Sequence, residues 1–317
     1  MLDSEKHADR VYSTAEHSSA AASSPIAASW RRCVSQHKLA PEVAREPQRL
    51  GESEFHHVRE RSSFVIEEAT GEMDRLFSMT AQSGFCVLLT DENGVVLDRR
   101  GAIGDDKDFR DFGLWSGTLW SEESVGTNGI GTALADQRAS TIYRDQHFLS
   151  SNINLSCAGA PIRDHNGRIR AALDISTCRD DTVEATMSIL SSAVRDCAMR
   201  IETNLFRRAF PHARIVMVSH SGPNALIAVD RHDIVLGANR AARLALKLDD
   251  SRISAGLPAA DLLGEVASDD AEGLEDAERA AIRQALSRAN GNVSRAAVKL
   301  GISRATMHRK IRRLGLN

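Results

Sequence analysis

Residues 291–317 carry seven basic side chains, Arg295, Lys299, Arg304, Arg309, Lys310, Arg312 and Arg313, and no acidic one. On a helical wheel Met307, Ile311 and Leu314 share one face, while Ala305, Thr306, Arg309, Arg312 and Arg313 lie across from it. A helix so divided buries one side and sets the other into a major groove, where arginine reads guanine edges and alanine or threonine meets thymine methyls. Arg304 sits nearer the apolar edge, but at the helix start it still reaches DNA. Ser294 and Arg295, opening the preceding helix, are placed for phosphates. Just upstream, residues 261–278 hold eight acidic side chains and no basic one, so the net charge of −3 conceals a polarised end.

A second set of residues could hold a small molecule. Gly126, Gly129 and Gly131 give a tight backbone around Thr127, Asn128 and Thr132, which can cap a helix and bind a small polar ligand. A purely structural loop-to-helix junction is the competing reading. Trp115, Trp120, Phe148 and Cys157 would line a pocket or form core, and His147 would bind a ligand or haem iron or serve as a structural histidine. The five cysteines, Cys33, Cys86, Cys157, Cys178 and Cys197, are odd in number, widely spaced and without a C-x-x-C pair. That pattern argues against a disulfide framework or a zinc site and for free thiols. An enzymatic alternative, methionine sulfoxide reduction through Cys86 and Cys157, lacks any resolving pair.

The elements that must position these residues follow from spacing and turn chemistry. Residues 1–24 are rich in Ser and Ala and are expected to lack order. A short helix is expected over 26–37 and a longer one over 53–82. FCVLLT (85–90), the turn at 91–94 and Val95–Leu97 read as a hairpin. Residues 101–136 contain seven glycines and one helix, and strands follow near 139–143, 155–161 and 171–176. Residues 181–209 return to helical spacing. A second hairpin, 225–229 with 234–238, precedes a helix at 239–248 and a linker opened by Gly256 and Pro258. The end divides into helices over 274–289, 293–299 and 303–313, with Gly301 at the turn and Ser303 as the cap.

Three resemblances sharpen this reading. SRAA (294–297) followed by GISRATMHRKIRRLGLN (301–317) resembles the Fis-type helix-turn-helix, which implies DNA contact by Ser303, Arg304, Thr306, Arg309 and Lys310 and binding as a dimer. SWRRC (29–33), SEESVGTNGIGTALA (121–135) and HFLSSNINLSCAGAPIRDHNGRIRAALDIS (147–176) resemble the front end of acetoin-catabolism (AcoR)-type bacterial activators, within a body resembling a GAF domain. The 225–248 segment resembles the opening of a PAS domain, at about half its usual length. The implied fold is α+β and multidomain: an N-terminal segment (1–24, then helical 25–52), a GAF-like antiparallel sheet with flanking helices (53–209), a short PAS-like segment (210–262), an acidic linker (263–273) and an all-α helix-turn-helix (274–317). Activators of that type carry an ATPase with a G-x-x-x-x-G-K-[ST] loop; this sequence has no Gly-Lys dipeptide and no room for such a domain between sensor and tip.

At 317 residues, 42% hydrophobic and 26% charged, the chain has the composition of a folded protein of two or three domains. No apolar run approaches the ~18–20 residues that cross a bilayer, and the start lacks a signal-peptide pattern, so a cytoplasmic location is expected. The expected function is a ligand-responsive, sequence-specific transcriptional regulator acting without its own ATPase and without enzymatic activity. No cofactor is expected beyond a small-metabolite effector. The expected partners are double-stranded DNA at a pseudo-palindromic operator, RNA polymerase and a second copy of the chain, with no membrane. A redox, haem or iron sensor and an architectural DNA-binding protein are the alternatives.

Overall fold

The computed structural model describes residues 2–218, 224–262, 278–279, 281–283, 285–286, 289 and 291–316. The chain divides into two compact units, Met1–Leu257 and Pro258–Asn317. The acidic linker 263–273, Leu274 and Asn290 lie outside the described residues.

The first unit begins with a correction. Residues expected to lack order form helices α1 (Leu2–Glu16) and α2 (Ser18–Ser23), ahead of α3 (Pro25–Ser35). Ala8, Val11 and Ala15 recur at helical spacing and are buried. A mean composition dominated by Ser and Ala hides so short a stripe. Ser24 caps α3, accepting the Ala27 N–H at 3.4 Å, with Pro25 in the first turn. The single helix expected over 53–82 is two, α4 (Glu52–Arg61) and α5 (Ser63–Thr80), broken at buried Ser62, whose ψ of 3° turns the axis.

The central sheet contains β1 (Cys86–Asp91), β2 (Val96–Arg100), β3 (Ser140–Tyr143), β4 (Ser156–Arg163) and β5 (Ile169–Thr177), all antiparallel, in the order β2-β1-β5-β4-β3. Between β2 and β3 run the short helices α6 (Asp106–Asp111), α7 (Glu122–Val125) and α8 (Gly129–Ala135). Register assigns the two faces. Val87, Leu89, Leu173 and Ile175 meet α5 and the long α9 (Glu184–Ala209) in one core with Met73, Leu76, Val194 and Ile201. On the other face Cys86, Leu88, Cys157 and Ala172 meet Val11, Trp30, Cys33, Phe109, Trp120, Ile130 and Phe148. That second face is therefore covered by α1, α3 and the loop-rich 101–155 region.

After α9 a small antiparallel sheet, β6 (Arg214–Met217), β7 (Leu226–Val229) and β8 (Val235–Ala238), runs into α10 (Arg240–Ala245) and α11 (Asp250–Ser254). The β7–β8 hairpin matches the sequence reading. β6 escapes it, since four residues with both ends exposed give no periodic signal.

The second unit holds α12 (Val293–Lys299) and α13 (Arg304–Arg313), with residues 278–279, 281–283 and 285–286 helical ahead of them. Its core is Ile282, Ala285, Ala289, Ala296, Ala297, Met307 and Leu314. Asn292 and Ser303 cap the two helices, each accepting a backbone N–H at 3.1 Å.

Candidate effector face and nucleic-acid interface

The Gly-Thr-Asn segment is the joint between two capped helices. Ser121 caps α7 and Asn128 caps α8, with Asn128 Oδ1 accepting the Gly131 N–H at 2.8 Å and its amide donating to the Gly126 carbonyl at 2.8 Å. Thr132 Oγ1 accepts the Asn128 N–H at 3.2 Å. Thr127 Oγ1 lies 2.6 Å from Ser29 Oγ, which donates to buried Glu122 Oε2 at 2.6 Å. Arg32 completes the cluster, reaching both Glu122 oxygens at 2.7 and 2.9 Å and Asp136 at 2.8 Å. The SWRRC segment is thus docked, through Ser29 and Arg32, onto the Gly-Thr-Asn joint some ninety residues away. All three predicted polar ligand residues, Thr127, Asn128 and Thr132, are buried and bonded within the chain.

Two glycines let this joint sit on the sheet. A Cβ on Gly159 would run into the Gly129 carbonyl, and one on Gly129 would overlap Asp174 Oδ1 and stand 2.7 Å from Cys157 Cβ. The start of α8 therefore rests directly on β4 and β5, which the SCAGAP and ALDIS segments supply. Asp174 is fully buried. Ser176 donates to its Oδ2 at 2.5 Å, yet burial raises its carboxyl to about 7.

The remaining candidates lie on the same face. His147 is fully buried; its Nδ1–H donates to the Arg144 carbonyl at 2.8 Å, leaving Nε2 to accept from the Cys157 thiol at 3.3 Å. Burial lowers its pKa to about 4 and pushes the Cys157 thiol up. His7 of α1 reaches the His147 carbonyl at 3.1 Å and Ser150 Oγ at 3.0 Å, and Trp30 Nε1 donates to the Gln146 carbonyl at 3.0 Å. Trp120 is buried, its Nε1 donating to the Gly113 carbonyl at 2.9 Å. Trp115 is half-buried, with Arg99 and Arg110 over its ring at 4.0 and 4.2 Å from the centroid.

In the second unit Arg304, Arg309 and Arg312 are exposed on α13 and make no ion pair among the described residues. Ser303, Thr306, Ser294 and Arg295 sit at the starts of α13 and α12, where backbone N–H groups also point outward. Lys310 and Arg313 are different: both pair with Glu278, in the helical stretch ahead of α12.

With this geometry in place, comparison with known proteins is direct. Residues 2–200 match the family profile described as MimR, N-terminal domain. The chain belongs to that family. This MimR-type body is followed, at residues 273–314, by a match to the bacterial regulatory protein, Fis family profile. The chain is 33% identical over 243 residues to the acetoin catabolism regulatory protein of Cupriavidus necator, covering 75% of this chain and 36% of that one. It is 29% identical over 262 residues to the propane 2-monooxygenase operon transcriptional activator MimR of Mycolicibacterium smegmatis, covering 79% and 42%. It spans between a quarter and just over a third of the length of the curated relatives it matches first. The crystal structure of the Escherichia coli DhaR(N)–DhaL complex shares the fold, with a TM-score of 0.52 at 21% identity over 71% of this chain and 76% of that one.

Within the MimR-type body, sequence reasoning did not single out Ser29, Arg32, Glu122, Asp174 or Arg99. A buried acid inside an otherwise small-residue motif, as at Glu122, is the one local signal that could have flagged part of this set. Among the described residues no helix is long and apolar enough to cross a membrane, and no cluster of His, Cys, Asp and Glu could hold a metal ion.

Proposed function

We propose that this chain is a ligand-responsive, sequence-specific DNA-binding regulator of transcription that works without an ATPase of its own. The observation that carries the reading is α13, capped by Ser303 and presenting Arg304, Arg309 and Arg312 free of ion pairs among the described residues, in a unit that matches a Fis-family profile. In this reading Ser294, Arg295, Ser303, Arg304, Thr306 and Arg309 contact DNA directly. Lys310 and Arg313 join them on phosphates only when Glu278 lets them go.

A small metabolite binds the sheet face covered by α1 and α3, bordered by Trp115, Trp120, His147 and Cys157, while Thr127, Asn128 and Thr132 hold the frame. The long α9 relays the change to a homodimer on a pseudo-palindromic operator, where RNA polymerase is engaged or blocked. Exposed Ile189 on α9 and Val183 at its start support a second copy as the neighbour of this helix. The 64 residues from 210 to 273 support regulation without an inserted ATPase. Burial raises the thiols of Cys33, Cys86, Cys157, Cys178 and Cys197 above their ordinary value, which favours a ligand sensor over a thiolate-based redox sensor.

The test is mapping of bound DNA across the genome with the chain present and absent, followed by Arg304→Ala and Arg309→Ala on a recovered site. Discrete palindromic peaks lost in both variants support the reading. Diffuse binding insensitive to sequence would replace it with an architectural role, and unchanged binding by both variants would remove α13 as the reading helix.

A further inference from the structure

Among the described residues, the buried side-chain nitrogens and oxygens without a hydrogen-bond partner are Nε and Nη2 of Arg99 and Oδ1 of Asp174. Both residues pair across the sheet with Leu88, Arg99 from β2 and Asp174 from β5. They therefore stand in one cross-strand row, on the face that α1 and α3 cover.

Arg99 is held from two other directions. Its Nη1 donates to Asp106 Oδ1 at 2.8 Å, and its guanidinium lies over Trp115, 4.0 Å from the ring centroid. Only 13% of its side chain is exposed. What remains is the edge formed by Nε–H and Nη2–H, two parallel donors. The same edge of Arg32 grips both oxygens of Glu122 at 2.7 and 2.9 Å. A fixed guanidinium edge of this kind matches a carboxylate in spacing and charge, and a buried charged donor left unpaired is costly. Asp174 stands apart from that edge. It is fully buried, with Ser176 on only one of its oxygens. Its Oδ1 lies against Gly129 and Gly159, where α8 rests on the sheet, so the guanidinium edge of Arg99 is the group left to meet a ligand.

We propose that the effector is a small carboxylate, bound side-on by Nε and Nη2 of Arg99, and that Arg99 rather than the Gly-Thr-Asn joint sets the ligand class. This rests on the reading of the body as an effector sensor.

The experiment titrates the purified full chain with propionate, lactate, pyruvate and benzoate, each beside its neutral amide, following tryptophan emission and melting temperature. At least one acid is expected to give a saturable shift in both that its amide does not. Arg99→Lys, which keeps the charge but loses the edge, should weaken that acid at least about tenfold. Gly101→Ala gives a second variant, because a Cβ there would overlap Arg99 Nη2, and it too should weaken the acid. Equal binding of an acid and its amide, full affinity in both variants, or no response to any acid would overturn the assignment. The regulator reading is scored separately, on operator DNA with and without each compound. A DNA response to neutral compounds alone would sink the carboxylate and leave the regulator standing; acid binding with no DNA binding under any condition would do the reverse.

Discussion

Arg32 and Glu122 meet edge to edge, Nε to Oε1 at 2.7 Å and Nη2 to Oε2 at 2.9 Å, and so fasten α3 to α7 across ninety residues of chain. Only 3% of the Glu122 side chain is exposed, against 27% for Arg32. The acid is the committed partner, since it also takes the Ser29 hydroxyl at 2.6 Å. The pair thus anchors the helical cover to the joint that shapes the face beneath it.

Glu122→Ala should cost about 2–4 kcal/mol, because it removes the buried acid that Arg32 and Ser29 share and leaves them only Asp136 and Thr127. Arg32→Ala should cost no less, since it leaves Glu122, only 3% exposed, without the guanidinium that compensates it. Urea unfolding of both singles and the double should show losses well short of additive. Additive losses would mean that the two side chains act independently.

Gly159→Ala should be among the most damaging small substitutions in the sheet, because the new methyl runs into the backbone carbonyl of Gly129. A loss of about 3 kcal/mol or more is expected, the upper end for overpacking. Gly129→Ala meets mainly the Asp174 carboxylate, and pairing it with Asp174→Ala should recover part of the loss. Thermal melts of the three proteins check this; a tolerated Gly159→Ala would refute the close approach.

Asp174 gives a pH dependence with a definite sign. Its carboxyl stays protonated in the fold up to about 7, whereas the unfolded chain releases that proton near the ordinary 3.8. The fold therefore loses stability as pH rises through this window. Asparagine mimics the protonated form, so the stability advantage of Asp174→Asn over the parent should grow by about 2–3 kcal/mol between pH 5 and pH 7 and then level off. His147 runs the other way, neutral in the fold down to about 4 against an ordinary 6.5, so its contribution is lost as pH falls between those values. It is common to both proteins and cancels in the difference. A gap that does not change with pH would contradict the raised carboxyl.

Glu278 holds Lys310 and Arg313 on the side of the tip that binds phosphate in the proposed function. Glu278→Gln should then tighten DNA binding at low salt and steepen the dependence of log affinity on log salt by about one to two. Fluorescence anisotropy across a salt series measures both. Weaker binding at every salt concentration would show that Glu278 instead fixes the pose of α13.

The hairpins were legible because each turn is written locally. Asp91, Asp164 and Asp230 each accept the N–H groups of the residues two and four positions on, at 2.7–3.0 Å. That chemistry sits within five residues, so a sequence window contains all of it. The helix caps Ser24, Asn239, Ser303 and Asn292 are local in the same way. Arg99 and Asp174 were not legible, because their relation exists only through strand register with Leu88. Nor was α1, whose burial depends on His7, Val11 and Arg10 meeting a segment more than 130 residues later.

For the proposed effector, that helical cover would have a kinetic consequence. His7, Trp30 and Arg32 bolt α1 and α3 down over the sheet at three separate points. A molecule bound beneath them enters and leaves only as often as the bolts open. Association then saturates at the opening rate instead of climbing with concentration, and dissociation lags behind a drop in supply. Under the proposed function, a regulator built this way would ignore brief pulses of metabolite and answer to sustained ones.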